Sequence, residues 1–154
     1  MAFSPSTPIT GAAITGLTSP TYTIVADTPP NASSKQYAVS ALGGTQTGVT
    51  AHSLSAPFTL TMFRPGSIKS LGSPNASGVI KNFPKNSFEL LTRKGVGVLA
   101  NQPVQLALIR TTFTMPAGSD TYDAVSIKAM ISAHIGLLTQ IAQGISDTVL
   151  TGTL

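Results

Sequence analysis

Groups able to do chemistry are scarce in this chain, and their types narrow what it can do. Two histidines, five carboxylates and no cysteine are spread over 154 residues. A nucleophile, its base and an orienting acid would have to converge from isolated positions. Asp120 and Asp123 resemble a carboxylate pair for acid–base work, but they stand where a helix is expected to begin. There a carboxylate caps orphan amides and opposes the positive end of the helix dipole. His134 falls among apolar residues at helical spacing, which fits a packing histidine rather than a ligand, and His52 lies in a solvated Ser/Thr/Ala stretch. Gly95-Val96-Gly97 lacks the third glycine and the following helix that a phosphate-cradling loop requires. The chain is therefore read as non-enzymatic, without a metal site, cofactor or small-molecule substrate.

A second constellation is richer. Strand parity places Arg93 and Arg110 on the face that carries Thr59, Thr61 and Thr112, and this mixture of cations and hydroxyls suits phosphate and sugar oxygens. An ordinary solvated sheet face would have the same composition. Scarcity favours the first reading, because only 9% of residues are charged and the charges are unevenly placed. Residues 1–118 hold eight cations (Lys35, Arg64, Lys69, Lys81, Lys85, Arg93, Lys94 and Arg110) against Asp27 and Glu89, a net of +6. Residues 119–154 hold Lys128 against Asp120, Asp123 and Asp147, a net of −2. Many copies of such a basic layer would bind RNA with a steep dependence on salt, because each neutralised phosphate releases counterions.

The rest of the composition describes a neutral, self-associating surface. A typical soluble domain is about 25% charged, so so little charge points to obligate self-association. The length fits a single domain, 1–154, divided into a hairpin and sheet (1–118) and C-terminal helices (119–154). Absence of cysteine suits a reducing cytoplasm. The first residues lack the basic and apolar regions of a signal peptide, and no uninterrupted apolar window is long enough to span a membrane. Asn31-Ala-Ser33 and Asn75-Ala-Ser77 match a glycosylation acceptor, as Ser-rich chains do by chance.

The elements that must position these residues follow from periodicity. Ile9 to Leu17 and Tyr22 to Ala26, separated by Ser19-Pro20, are expected to form an N-terminal hairpin. In Gln36 to Leu42, Tyr37, Val39 and Ala41 oppose Gln36, Ala38 and Ser40. Phe58-Thr-Leu-Thr-Met62 alternates cleanly, with the apolar side chains inward. Residues 65–86 read as a long loop with one short extended piece at Val79-Ile80. Ser87 to Lys94 puts Phe88 and Leu90 inward with Glu89 and Arg93 outward. Gly95 to Pro103 is an apolar connector, and Val104 to Met115 a long last strand whose Ile109, Thr111, Phe113 and Met115 oppose Arg110, Thr112 and Thr114. An antiparallel sheet with one apolar and one Thr/Arg face follows.

Past Met115-Pro-Ala-Gly-Ser119 the period becomes helical. Ser119 or Asp120 is the expected N-cap of a helix reaching Gln143, Gly144 the expected interruption, and a short final helix ends near Thr151-Gly152. Ile127, Met130, Ile131, His134, Ile135, Leu137, Leu138 and Ile141 fill an apolar arc wide enough for more than one neighbour. Val125, Ala129, Ser132, Ala133 and Gly136 add a strip of small side chains.

This order resembles the coat protein of single-stranded RNA bacteriophages. The likeness covers the whole layout. It is sharpest from Arg110-Thr-Thr-Phe-Thr-Met-Pro-Ala-Gly-Ser-Asp120 through Ser126-Ile-Lys-Ala-Met130, His134-Ile-Gly-Leu-Leu138 and Asp147-Thr-Val-Leu-Thr-Gly152. The resemblance implies an α+β fold and an interlocked homodimer, in which each subunit's helices lie across the partner's sheet. Ile127, Met130, Ile131, His134, Leu137, Leu138 and Ile141 would then form the dimer interface. It also implies an icosahedral shell of many copies with the sheet facing single-stranded genomic RNA. Gly95, Val96, Gly97, Val98 and Leu99 would lie in the loop gathered around its symmetry axes. Many relatives also repress translation by binding a genomic hairpin, although no base-contacting motif can be matched here residue by residue, and no aromatic stands on the Thr/Arg face to stack a base. Two other classes share parts of the pattern: a secreted or surface filament or adhesion subunit, which the missing export signal and cysteines disfavour, and a small RNA-binding regulator that forms no shell.

Overall fold

The computed structural model describes residues 3–154. Its strands are β1 (Ile9–Thr10), β2 (Thr18–Asp27), β3 (Ser34–Thr45), β4 (Phe58–Phe63), β5 (Lys85–Val96) and β6 (Gln105–Pro116), followed by helices α1 (Ser119–Tyr122), α2 (Ala124–Gln140) and α3 (Ala142–Thr151). The strands form one antiparallel sheet in chain order, β1 to β6. Cross-strand rows define its two faces. One row runs Tyr37, Leu60, Thr92, Ile109, and the row beside it runs Gln36, Thr61, Leu91, Arg110. Tyr37, Phe58, Leu60, Met62, Phe88, Ile109 and Phe113 thus collect on the first face, and Gln36, Thr59, Thr61, Arg93, Arg110 and Thr112 on the second, together with Leu91, Leu106 and Leu108.

Several boundaries differ from those read in the sequence. The first hairpin arm is only two residues long, pairing Ile9 with Tyr22 and Thr10 with Thr21. Ser19-Pro20 does not separate strands but lies inside β2, in a bulge between Thr18 and Thr21 where Ser19 has φ 45. A second bulge sets Thr23 against Ala41 but Ile24 against Val39, which ends the strict alternation of β3 at Ser40. Val79-Ile80 joins no strand; the Asn75 side chain instead accepts from Ser77 N and Val79 N, making a local turn. The foot of this long loop is clamped by a side chain, because Asn86 accepts from Lys69 N (2.8 Å) and donates to Lys69 O (2.9 Å). Gly95 and Val96, expected in the connector, extend β5: Gly95 N donates to Pro57 O at 2.6 Å, and a Cβ there would lie 2.8 Å from Ala56 Cα.

The single helix expected from 119 to 143 is three pieces. Asp123 leaves helical geometry at φ −137 and its side chain accepts from Ser126 N, so it, and not Ser119 or Asp120, caps the long helix. The second break falls at Ile141, where α2 and α3 bend by 61°, and Gly144 is continuous within α3. Gly152 closes α3 in the left-handed region (φ 73) as expected. No single helix among the described residues is long and apolar enough to cross a membrane.

The core of one chain is small. Among the described residues Ile24, Ala38, Val39, Leu91 and Ala117 are the buried apolar ones, and no helix buries any residue at all. In β4 the burial runs opposite to expectation: Thr59 and Thr61 are 1% exposed, while Phe58, Leu60 and Met62 remain half-buried. The parity is right, but no layer of this chain covers the apolar side chains of β4, and the helices bury none of their own residues.

Candidate nucleic-acid and assembly surfaces

The five residues singled out for RNA all lie on the polar face. Thr59 pairs with Arg93, Thr61 with Leu91 and through it with Arg110, and Glu89 with Thr112. They are not equally available. Arg93 Nε donates to Thr59 Oγ1 at 3.0 Å and its Nη2 to Gln36 Oε1 at 3.1 Å. The Thr61 hydroxyl donates to the same Gln36 oxygen at 2.8 Å. Thr59 and Thr61 therefore sit beneath the surface with their hydroxyls engaged, whereas Arg93 is half-buried and Arg110 and Thr112 are exposed.

Gln36 is the hub of this network and was not picked out from the sequence. Only its place opposite Tyr37 in a strand, as an amide among small residues, gave any signal. Its Nε2 donates to Asp27 Oδ2 (2.6 Å) and to Thr28 O (3.2 Å). The Asp27 carboxyl is held below its usual range chiefly by that amide, then by the Thr28 N–H. Arg110 is bound more loosely, to Glu89 at 3.5 Å, with the two side chains 58% and 32% exposed.

The basic charge of the first 118 residues is not gathered on this face. Lys35 and Lys94 belong to the opposite one, their ammonium groups 5.5 Å from the Tyr37 ring centre and 5.1 Å from that of Phe58. Partial burial lowers the Lys94 pKa. On the polar face Lys85, Arg93 and Arg110 stand with Asp27 and Glu89, so with Lys35 and Lys94 on the other face the sign change along the sequence is not a simple division between layers. Among the described residues no cluster of histidine and carboxylate side chains could hold a metal.

Surfaces suited to a second protein are extensive. β6 is paired by β5 along one side only, and its Leu106, Leu108 and Ile109 are exposed. An apolar groove between β6 and the helices is lined by Ile14, Ile109, His134, Leu138 and Ile145, and a neighbouring hollow brings Phe113 and Met115 to Met130 and Ile131. Of the helical arc, Ile127 and Ile131 are half-buried, while Met130, His134, Leu137, Leu138 and Ile141 are exposed. The helix pair is tied back to the N-terminal region through Thr15 N, which donates to Gln143 Oε1 at 2.6 Å. Beyond the ends of β5 and β6 the connector presents Val98 and Leu99, 63% and 71% exposed, next to Gly97, around which a side chain would meet nothing.

Comparison with solved structures finds the same arrangement. The chain aligns over 99% of its length, and 100% of the other chain, with the virus-like particle of bacteriophage ESE020, at 56% identity and a TM-score of 0.96. The virus-like particle of Beihai levi-like virus 32 matches at 15% identity and TM-score 0.52, covering 86% of this chain and 88% of that one. That of Wenzhou levi-like virus 4 matches at 18% and 0.50, covering 100% and 83%. These two share the fold alone. No family model and no curated protein matches the chain.

Proposed function

The chain belongs to the coat proteins of the levi-like, single-stranded RNA bacteriophages, as a capsid structural protein of the virion, and from that premise we propose how it assembles. Two copies pair through the open edge of β6 and exchange helices, so that α2 and α3 of each cover the apolar face of the other. Dimers then close into a shell in the bacterial cytoplasm, with the connector at residues 97–104 meeting its counterparts and the polar face turned towards single-stranded RNA.

One observation carries this reading: a single chain leaves both halves of a hydrophobic core uncovered. Phe58, Leu60 and Met62 stay half-buried on one side while α2 and α3 bury nothing on the other. Burial is worth roughly 25 cal/mol per Å² of apolar surface, and exposed apolar patches of this extent mark protein interfaces. On the polar face Arg93, Arg110 and Thr112 are placed to meet phosphates, with Thr59 and Thr61 beneath them. The experiment is expression of the chain alone in bacteria, followed by electron microscopy and nucleic-acid absorbance of the soluble fraction. Closed shells that co-purify with RNA are expected. Filaments, or dimers free of RNA, would sink the proposal.

A further inference from the structure

We propose that Gln36 is a positioning residue for RNA, holding the Arg93 guanidinium in one orientation for a backbone phosphate. The inference rests on the reading of the polar face as the RNA-facing one.

The side chain's hydrogen-bonding capacity is completely used. Oε1 accepts from Thr61 Oγ1 and Arg93 Nη2, and Nε2 donates to Asp27 Oδ2 and Thr28 O. An amide has two acceptor sites and two donors, so no rotation of Gln36 improves its bonding and its carbonyl is fixed towards Arg93. Burial reinforces this, since Gln36 is 6% exposed and Thr59 and Thr61 are 1% exposed. Arg93 is thus gripped at Nε by Thr59 and at Nη2 by Gln36, while among the described residues its Nη1 has no partner. A half-buried arginine with one end tied and the other free is arranged to present donors to an oxyanion in a fixed geometry.

The contrast with Arg110 sharpens the point. That side chain is more exposed and its one ionic partner, Glu89, is 3.5 Å away on the surface. It supplies charge without orientation. Gln36 also separates Arg93 from Asp27: the carboxylate bonds to the amide rather than to the guanidinium, so the arginine is oriented without being neutralised by direct pairing. A glutamate at this position would pair with Arg93 and lose that advantage.

The test is binding of a labelled oligouridylate by the full chain over a series of salt concentrations, with thermal stability measured on the same samples. Arg93→Ala should weaken binding and lower the salt slope by about one; if it binds like the unaltered chain, the RNA-facing reading of this arginine fails, whatever Gln36 does. Gln36→Met keeps shape and charge balance. It should weaken binding about threefold to tenfold, the cost of immobilising a freed long side chain, with the slope unchanged. The Gln36→Met, Arg93→Ala double variant should bind no worse than Arg93→Ala alone. Arg93→Ala weakening binding while Gln36→Met does not, or additive losses in the double variant, would overturn the positioning role and leave the RNA reading intact. If Gln36→Met fails to fold, Thr59→Val, which cuts the Nε hydrogen bond, takes its place under the same criteria. Asn86→Ala disturbs a buried amide clamp far from this network and serves as the stability control; a loss of RNA binding equal to that of Gln36→Met would reduce the effect to general destabilisation.

Discussion

The two faces of the sheet are finished to different degrees. Over β3 and β4 the polar face is closed within one chain: Gln36, Thr59 and Thr61 are buried and hydrogen-bonded to Asp27, Thr28 and Arg93. In β4 the apolar face has the larger side chains and the stronger drive to leave water, yet Phe58, Leu60 and Met62 are more exposed than Thr59 and Thr61. Hydrogen bonds can be satisfied locally by neighbours on adjacent strands, but an apolar face needs a second layer. This chain builds its second layer as α2 and α3, which stand beside β6 and bury none of their own residues. The apolar side chains of β4 and of the helices are left without the cover that would take them out of water.

The contrast can be broken or sharpened by substitution. The largest effect is expected for Leu138→Asp, at a position in the groove beside Ile109 and Ile145. A carboxylate buried there without a partner should cost about 3–5 kcal/mol, abolishing dimers and shells in sedimentation; intact shells would show that the groove stays empty in the assembly. Next comes Asn86→Ala, which leaves both Lys69 backbone groups without their clamp. Its expected cost of about 1–3 kcal/mol should lower the melting temperature without altering assembly state. Glu89→Gln should follow, removing the carboxylate that competes with phosphate for Arg110. RNA affinity should rise by a few-fold at low salt, an exposed pair being worth about 0.2–1 kcal/mol, and unchanged affinity would show that Arg110 does not meet RNA. The smallest effect concerns acid. The Asp27 pKa is lowered in the folded chain, so its contribution is present at neutral pH and is lost as the pH falls below 3.8 and through the lowered value. Asp27→Asn should flatten that limb of the stability profile in acid titration followed by circular dichroism.

The alternation of Phe58 to Met62 and of Ile109 to Met115 made the division of β4, β5 and β6 into two faces readable, because a period of two survives any covering layer. Which face would be buried in a single chain was not readable, since that depends on whether the cover comes from the same molecule. The helix breaks at Asp123 and Ile141 also escaped, as neither site carries glycine or proline; Gly144, the obvious candidate, is tolerated inside α3. The bulge at Ser19 was hidden by Pro20, which looks like the end of a strand and instead occupies an irregular place within one. Thr59 and Thr61 were legible as neighbours of Arg93 on one face but not as its supports, because Thr61 acts only through Gln36, an unremarkable residue in sequence.

The Asn86 amide stands in for one rung of a strand ladder, and it does so on behalf of a segment that belongs to no strand. Between that anchor at Lys69 and the rejoining of the sheet, where Ala117 N donates to Pro84 O, residues 72–79 are all exposed. The register of β4 against β5 is set by their own pairing and owes nothing to the length of chain running between them. Closing a longer loop costs only about 0.6 kcal/mol per doubling. The segment from Gly72 to Gly78 is thus a place where lineages can gain or lose residues, and where a foreign peptide can be spliced, without the two faces of the sheet registering the change.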